Sequence, residues 1–356
     1  MDFDWSKYKL SNKLKFDSPI EYILIIPNQE KLLVTYKSSI KIYNIKSLVI
    51  ESEINFYNIK EIENLYLLKN GLISICTKNC IFLISLNDDN TYTIIQTIEF
   101  PDIVEEIDFK YLIELKNTNL CILSKNKIFI YEKNNINNNY KIISSLEENY
   151  IEYETNKGIN ESCIELIYSE KNIENKIAVY LSNVARLSFW DLNKKEKINN
   201  TEDNYCNTFN MKDMFCLMNN GKYLLCACID EAIRFYSTEK CELIKSLYDY
   251  YWHISVLKLD EDKILSGGDF GRITFYQFYF EKEEFKNKNL QSLDMKSTKK
   301  VEKVVDLINP KELEENDDDY GHKKPINEIR KYGDTIISTS CYEKDKQSFI
   351  CFWTKE

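Results

Sequence analysis

The sequence predicts an all-β protein, a single seven-bladed β-propeller of four-stranded antiparallel blades over residues 1–356, and three observations predict it. A five-residue pattern built around a large ring returns seven times. Each copy follows two further short apolar runs and precedes a more polar one. The seventh copy lacks that last run, and an unassigned strand-like stretch stands ahead of the first unit.

The pattern is Ile, any residue, an apolar residue, a large ring (once Ile), then a polar residue. Its copies are Ile40–Asn44, Ile81–Ser85, Ile128–Glu132, Leu187–Asp191 with Leu in first place, Ile233–Ser237, Ile273–Gln277 and Ile350–Thr354. The fourth residues are Tyr43, Ile84, Tyr131, Trp190, Tyr236, Tyr276 and Trp353, at steps of 41, 47, 59, 46, 40 and 77 residues. The shorter steps match the length of one propeller blade.

About ten residues upstream of each copy lies a second apolar run: Leu32–Tyr36, Leu72–Thr77, Leu120–Ser124, Ile177–Leu181, Tyr223–Cys228, Lys263–Leu265 and Thr335–Thr339. A short polar turn joins the two, as a hairpin requires. A third run lies further upstream, as at Tyr22–Ile26, Asn64–Leu68 or Ile326–Ile329. Turn residues such as Asn219-Asn220-Gly221-Lys222 set it apart. After the ring comes a polar alternating stretch, for example Cys241 to Leu247, suited to a half-exposed outer strand.

Seven such units call for radial repetition, which leaves only short, protected sheet edges. The last unit stops at Trp353 without an outer strand, and Leu10 to Phe16 supplies a spare one. Residues 10–16 are therefore expected to close the ring by pairing with the last unit.

From about Leu10 to Trp353 the chain resembles the WD-repeat family, whose repeat runs from a Gly-His pair to a Trp-Asp pair. Gly321-His322 is followed at the matching register by Ile326, Ile329, the Thr335–Cys341 stretch and Trp353. Phe189-Trp190-Asp191 keeps the terminal Trp-Asp, and Asn219 to Tyr236 is similar to the family's strand–turn–strand core with Asp230 at the turn. The resemblance implies a hydrogen-bonded quartet of His, turn Asp, Ser or Thr, and Trp. No repeat carries all four in register. In the sixth, Asp269 and His253 each stand one position off, and in the last the turn Tyr342 to Gln347 is longer.

Composition narrows the function classes. A formal charge of −10 disfavours nucleic acid as a partner, since phosphates need clustered Lys and Arg. Lys37, Lys78, Lys125 and Lys127 nonetheless recur near the hairpin turns of the first three units, which keeps an RNA-binding propeller as the alternative. The start, MDFDWSKYKL, has no apolar signal core, and the longest aliphatic run, Ile23 to Ile26, is too short to cross a bilayer. The eleven cysteines are odd in number, without a CxxC, and mostly inside apolar runs. Buried thiols explain them, Cys226 and Cys228 included, in an intracellular, cytoplasmic protein, with the nucleus also open.

Two stretches exceed what blades need: Glu148 to Ser162, and the segment that produces the long sixth step, residues 281–320. The latter holds Lys296 to Lys303 and the acidic Glu312 to Asp319. Within it Val301, Val304, Val305 and Ile308 have helical spacing, while Asn289 to Met295 or Lys300 to Ile308 suits the sixth unit's outer strand. A mostly solvated loop is expected overall.

In a propeller of this type, one end carries the turns inside each second–third strand hairpin together with the links between blades. Those links hold Phe56, Tyr57, Phe100, Tyr205 and Tyr320, and most densely Tyr248, Tyr250, Tyr251 and Trp252, beside Asp269 and Phe270. Aromatic anchors dominate protein interfaces. Tyr248, Tyr250, Tyr251, Trp252, Asp269 and Phe270 are therefore the candidate protein-binding residues; the bland alternative is that each ring packs between blades.

Signals of catalysis are weak. Asp269-Phe270-Gly271 spells the magnesium-binding tripeptide of protein kinases, without the other kinase motifs and inside a glycine-flanked turn. Asp317 to Asp319 only partly matches a calcium loop. His253 and His322 are the only histidines, and neither lies in a nucleophile motif. The expectation is a non-enzymatic scaffold without cofactor or metal, monomeric within a hetero-complex, that binds other proteins or peptide segments. A propeller enzyme with a site at the central channel is the remoter alternative.

Overall fold

The computed structural model describes residues 8–57, 59, 61–77, 80–99, 109–115, 117–124, 127–134, 139–147, 162–167, 176–181, 186–199, 214–248, 252–278, 280, 325–342 and 347–355. The chain is a seven-bladed β-propeller, all-β, with seven antiparallel sheets. It divides into two compact units, residues 16–166 with 174–200, and residues 1–15 with 167–173 and 201–356. The first strand, β1 (Tyr8–Phe16), completes the last blade.

In the first unit, blade one is β2 (Tyr22–Ile26), β3 (Lys31–Tyr36), β4 (Ser39–Asn44) and β5 (Ile50–Asn55). Blade two is β6 (Ile62–Leu67), β7 (Ile73–Thr77), β8 (Cys80–Leu86) and β9 (Tyr92–Glu99). Blade three is β10 (Phe109–Glu114), β11 (Leu120–Ser124), β12 (Lys127–Lys133) and β13 (Tyr140–Glu147). Blade four is β14 (Ser162–Ile167), β15 (Lys176–Leu181), β16 (Arg186–Asp191) and β17 (Glu196–Asn199). In each, the strands follow one another in chain order from the inner to the outer side.

The five-residue pattern is the third strand of every blade. Its first, third and fourth residues are buried, on both faces of the sheet: Ile40 and Ile42 on one face and Tyr43 on the other, with Lys41 half-buried. Opposite the ring residue the outer strand carries one extra residue. The register jumps between Ile42 and Tyr43, Leu83 and Ile84, Ile130 and Tyr131, and Phe189 and Trp190. These bulges bend the outer strand at the ring, where twist is greatest.

The inner strand β2 lies against β6, and β6 against β10. Between blades one and two the core includes Ile40, Ile42, Phe56, Ile62 and Ile75, and between two and three Leu83, Ile98, Leu112 and Phe129. Phe56, a link residue, belongs to this core: its ring lies 6.0 Å from Phe82 and 5.4 Å from Tyr92. Phe56 thus takes the packing role among the link aromatics.

In the second unit, blade five is β18 (Phe215–Met218), β19 (Tyr223–Ala227), β20 (Ala232–Ser237) and β21 (Glu242–Tyr248). Blade six has three described strands, β22 (His253–Asp260), β23 (Lys263–Gly268) and β24 (Ile273–Gln277). Both stretches suited to its outer strand, and residues 281–320 as a whole, lie outside the described residues, as does 148–161. Blade seven is β25 (Ile326–Tyr332), β26 (Thr335–Tyr342) and β27 (Gln347–Lys355), closed on its outer side by β1.

The closing strand is longer than expected. It begins at Tyr8 rather than Leu10, because the Tyr8 ring is buried with Ile329, Ile336 and Trp353 in the core between blades six and seven. Ser11 Oγ donates to the Phe352 carbonyl at 3.0 Å, and the Lys13 ammonium sits 4.4 Å from the Phe349 ring centre. Aromatic rings also fill the gap between blades five and six: Tyr223 stacks on Phe280 at 5.3 Å, and Phe235 meets Phe278 edge-on at 5.0 Å.

Two buried polar pairs tie neighbouring strands of blades six and seven together. Trp353 Nε1 donates to Ser338 Oγ at 2.8 Å, and His253 Nδ1 lies 2.9 Å from Ser266 Oγ, both pairs buried. The register of β22 on β23 jumps between His253 and Ser255, as it does at the start of the inner strands β6, β10 and β25. The Tyr276 ring lies edge-on to the His253 ring at 5.7 Å. Gly321 and His322 lie outside the described residues.

Cys76, Cys80, Cys121, Cys216, Cys226, Cys228, Cys241 and Cys351 are free thiols. Burial pushes the Cys351 thiol up to about 12 and that of Cys121 higher still, which fits inert core residues. Among the described residues no helix is long and apolar enough to cross a membrane.

Candidate functional site

The hairpin turns and the links between blades meet at one end, as two sets of backbone hydrogen bonds establish. In the first unit Ile62 N donates to the Lys37 carbonyl at 2.8 Å and Phe56 N to the Ser38 carbonyl at 3.0 Å. In the second, His253 N donates to the Cys228 carbonyl at 3.1 Å. In blades one and five the turn between second and third strands is therefore stitched to the start of the next blade.

At the end of blades five and six these stitches gather the candidate residues. Tyr248 closes β21 opposite Ala232, and Trp252 immediately precedes β22. Both rings face solvent, with 75% of Tyr248 and 42% of Trp252 exposed. Gly268 lies under Trp252: a Cβ there would sit 2.5 Å from the Trp252 carbonyl oxygen, so only glycine permits this approach. Asp269 follows in a short 3-10 turn, Asp269–Gly271, with Gly271 at φ 75°. The kinase-like tripeptide is thus the hairpin turn that the flanking glycines imply. Of the remaining candidates, Tyr250 and Tyr251 lie outside the described residues, and Phe270 is placed here by its backbone in the same turn.

Charged groups lie in the adjoining turns. Asp230, in the turn of blade five, receives two hydrogen bonds from Arg234, Nη1 to Oδ1 at 2.6 Å and Nη2 to Oδ2 at 2.5 Å. Arg234 is buried, which works against its charge, but the bonds it donates to Asp230 outweigh this and hold its pKa above the usual value. Burial also pushes the Asp269 carboxyl up, against the pull of the nearby Arg272 guanidinium, and the charge of Glu231 adds to the rise. This end therefore carries two exposed rings and a partly buried carboxyl, with the Arg234 and Arg272 side chains buried.

Sequence reasoning missed three members of this set. Arg234 occupies the variable second place of the five-residue pattern, where any residue is tolerated. The signal available was its spacing: Asp230 stands four residues before it across a tight turn. Glu231 and Arg272 carried no signal beyond being charged residues flanking turns.

The other candidates separate from this site. Tyr57 is 91% exposed in the first unit, whereas Phe56 beside it is buried. Phe100, Tyr205 and Tyr320 lie outside the described residues. Of the lysines considered for nucleic acid, Lys37 is exposed, Lys127 half-buried, and Lys78 and Lys125 lie outside the described residues. Cys226 and Cys228 do share a face, their sulfurs 3.9 Å apart and buried. Among the described residues no group of three or more metal-ligating side chains comes together. No protein-family model matches the sequence, and no curated protein matches it.

Proposed function

We propose that the protein is a non-enzymatic interaction scaffold, a WD-repeat subunit of a larger intracellular assembly, which holds partner proteins through the end that carries Tyr248 and Trp252. The observation that carries this reading is the exposure of both rings beside the partly buried Asp269 carboxyl, at the point where the Cys228 turn is stitched to β22. Large rings with nearby fixed charges are the usual anchors of interfaces. The scaffold class itself is a fold-level analogy, since propellers commonly serve this way. The WD-repeat assignment is supported by the His253–Ser266 and Trp353–Ser338 pairs.

The test is affinity capture of the tagged wild-type chain beside a Tyr248→Ala, Trp252→Ala variant of matched thermal stability, with co-purifying proteins identified by mass spectrometry. A stable set of partners that the variant loses, and that Tyr57→Ala retains, is the expected outcome. Capture of the same partners by all three forms contradicts it.

A further inference from the structure

The outer strands of the first three blades carry an unusual load. Edge strands are normally protected by charge, because an exposed apolar edge invites association. Here Val49 and Ile50 at the start of β5, Ile94 and Ile95 in β9, and Ile142 and Ile143 in β13 are all exposed. They stand at equivalent positions. Ile50 is opposite Tyr43, Ile94 opposite Ile84 and Ile142 opposite Tyr131, each being the ring position of its blade. Ile95 and Ile143 are the extra residues of two of the bulges described above. In blade five the same bulge leaves Leu243 and Ile244 only partly exposed.

Side chains join the three aliphatic pairs into one strip. Asn90, ahead of β9, donates to Glu51 of β5 at 3.3 Å. Gln96 of β9 clasps the backbone of Tyr140 at the start of β13, accepting from its N–H at 2.7 Å and donating to its carbonyl at 2.8 Å. Ile50 therefore neighbours one end of this chain of contacts and Ile142 the other, with Ile94 and Ile95 between them.

We propose that this strip is a second docking surface, independent of the aromatic end, and that its occupant is a cationic amphipathic helix of a partner protein. The bulges argue for a helix over an added strand. Strand addition needs an unbroken row of free N–H and C=O groups, and the bulge breaks that row beside the aliphatic residues. The charge argues for a basic partner. Glu51, Asp88, Asp89 and Glu99 are exposed along the strip, against Lys46, which is held by Glu30, and Lys141. A second copy of this chain would bring like charge onto like, and the chain carries −10 overall.

The experiment titrates the full chain with a labelled amphipathic Leu/Lys helix of roughly 18 residues, and with a Leu/Glu peptide of the same apolar face. Binding of the Leu/Lys peptide is expected to weaken about tenfold in Ile95→Ser, Ile143→Ser. A similar loss is expected in Asp88→Lys, Glu99→Lys, which leaves the apolar residues in place and serves if the first variant folds poorly. Trp252→Ala should bind as wild type, which separates this surface from the aromatic end. Equal binding of both peptides, or undiminished binding by both variants, overturns the proposal. So does sedimentation showing a wild-type dimer that Ile95→Ser, Ile143→Ser dissociates, because the strip then covers a second copy.

Discussion

The links after blades one and five start from the same kind of sequence and end differently. Both set aromatic residues between an outer strand and the next inner one, Phe56 and Tyr57 in the first case and the stretch from Tyr248 to Trp252 in the second. After blade one, Phe82 and Tyr92 offer ring faces, and Phe56 turns in to meet them. After blade five, Arg234 with Asp230 and His253 with Ser266 occupy buried ground near the link, and Tyr248 and Trp252 stay outside. An aromatic link residue is thus core or surface according to what its neighbours leave open, and its own sequence pattern does not decide.

The sharpest break of this comparison is a pair of truncations. Phe56→Ala removes a buried ring and is expected to cost about 3 kcal/mol, whereas Trp252→Ala should stay within about 0.5 kcal/mol. Urea unfolding of the two variants measures both, and equal losses would erase the distinction between the links.

Next in size is the ion pair of blade five. Asp230→Ala leaves the buried Arg234 guanidinium without its carboxylate, and a loss of about 2 kcal/mol is expected, moderated by the partial exposure of Asp230. A smaller effect is expected from Ser266→Ala, about 1 kcal/mol for the bond to His253, and a like amount from Ser338→Ala beneath Trp353. If Asp230→Ala unfolds no more easily than wild type, polar groups do not define the blade-five end.

The mildest prediction concerns pH. At the corresponding end of the first unit, the Glu21 carboxyl is pushed up to about 7 by burial and by Glu61, with which it shares a hydrogen bond. Its folded value lies above the unfolded one, so the folded state binds the proton more tightly. Stability contributed by that proton is present at low pH and is lost as pH rises through about 7. Glu21→Gln should flatten this loss and raise stability above neutral pH by on the order of 1 kcal/mol, after discounting for solvent screening. Thermal melts across that range measure it.

Much of the architecture was legible because propeller strands repeat in register. The five-residue pattern marks the third strand of each blade, since its Ile, apolar and ring positions are buried on the two faces of the sheet. The spare strand was legible as well, though Tyr8 was missed because one buried ring beyond an apolar stretch leaves no periodicity. The bulges at the start of β6, β10, β22 and β25 were not legible. Such bulges insert a residue without changing composition, so linear spacing misreads them. The candidate site was legible only in part: the rings stood out by density, but the Arg234–Asp230 pair depends on a turn that brings residues together across a hairpin. The aliphatic strip was invisible, because Ile94-Ile95 and Ile142-Ile143 read as ordinary strand residues until their exposure is known.

Hydroxyl-radical footprinting of the isolated chain and of the captured assembly tests the central claim most directly. Oxidation of Tyr248 and Trp252 in the isolated chain, with both protected in the assembly while Tyr57 stays reactive, is the predicted result. Equal oxidation of Tyr248 and Trp252 in the two states would contradict a partner surface at this end of the propeller.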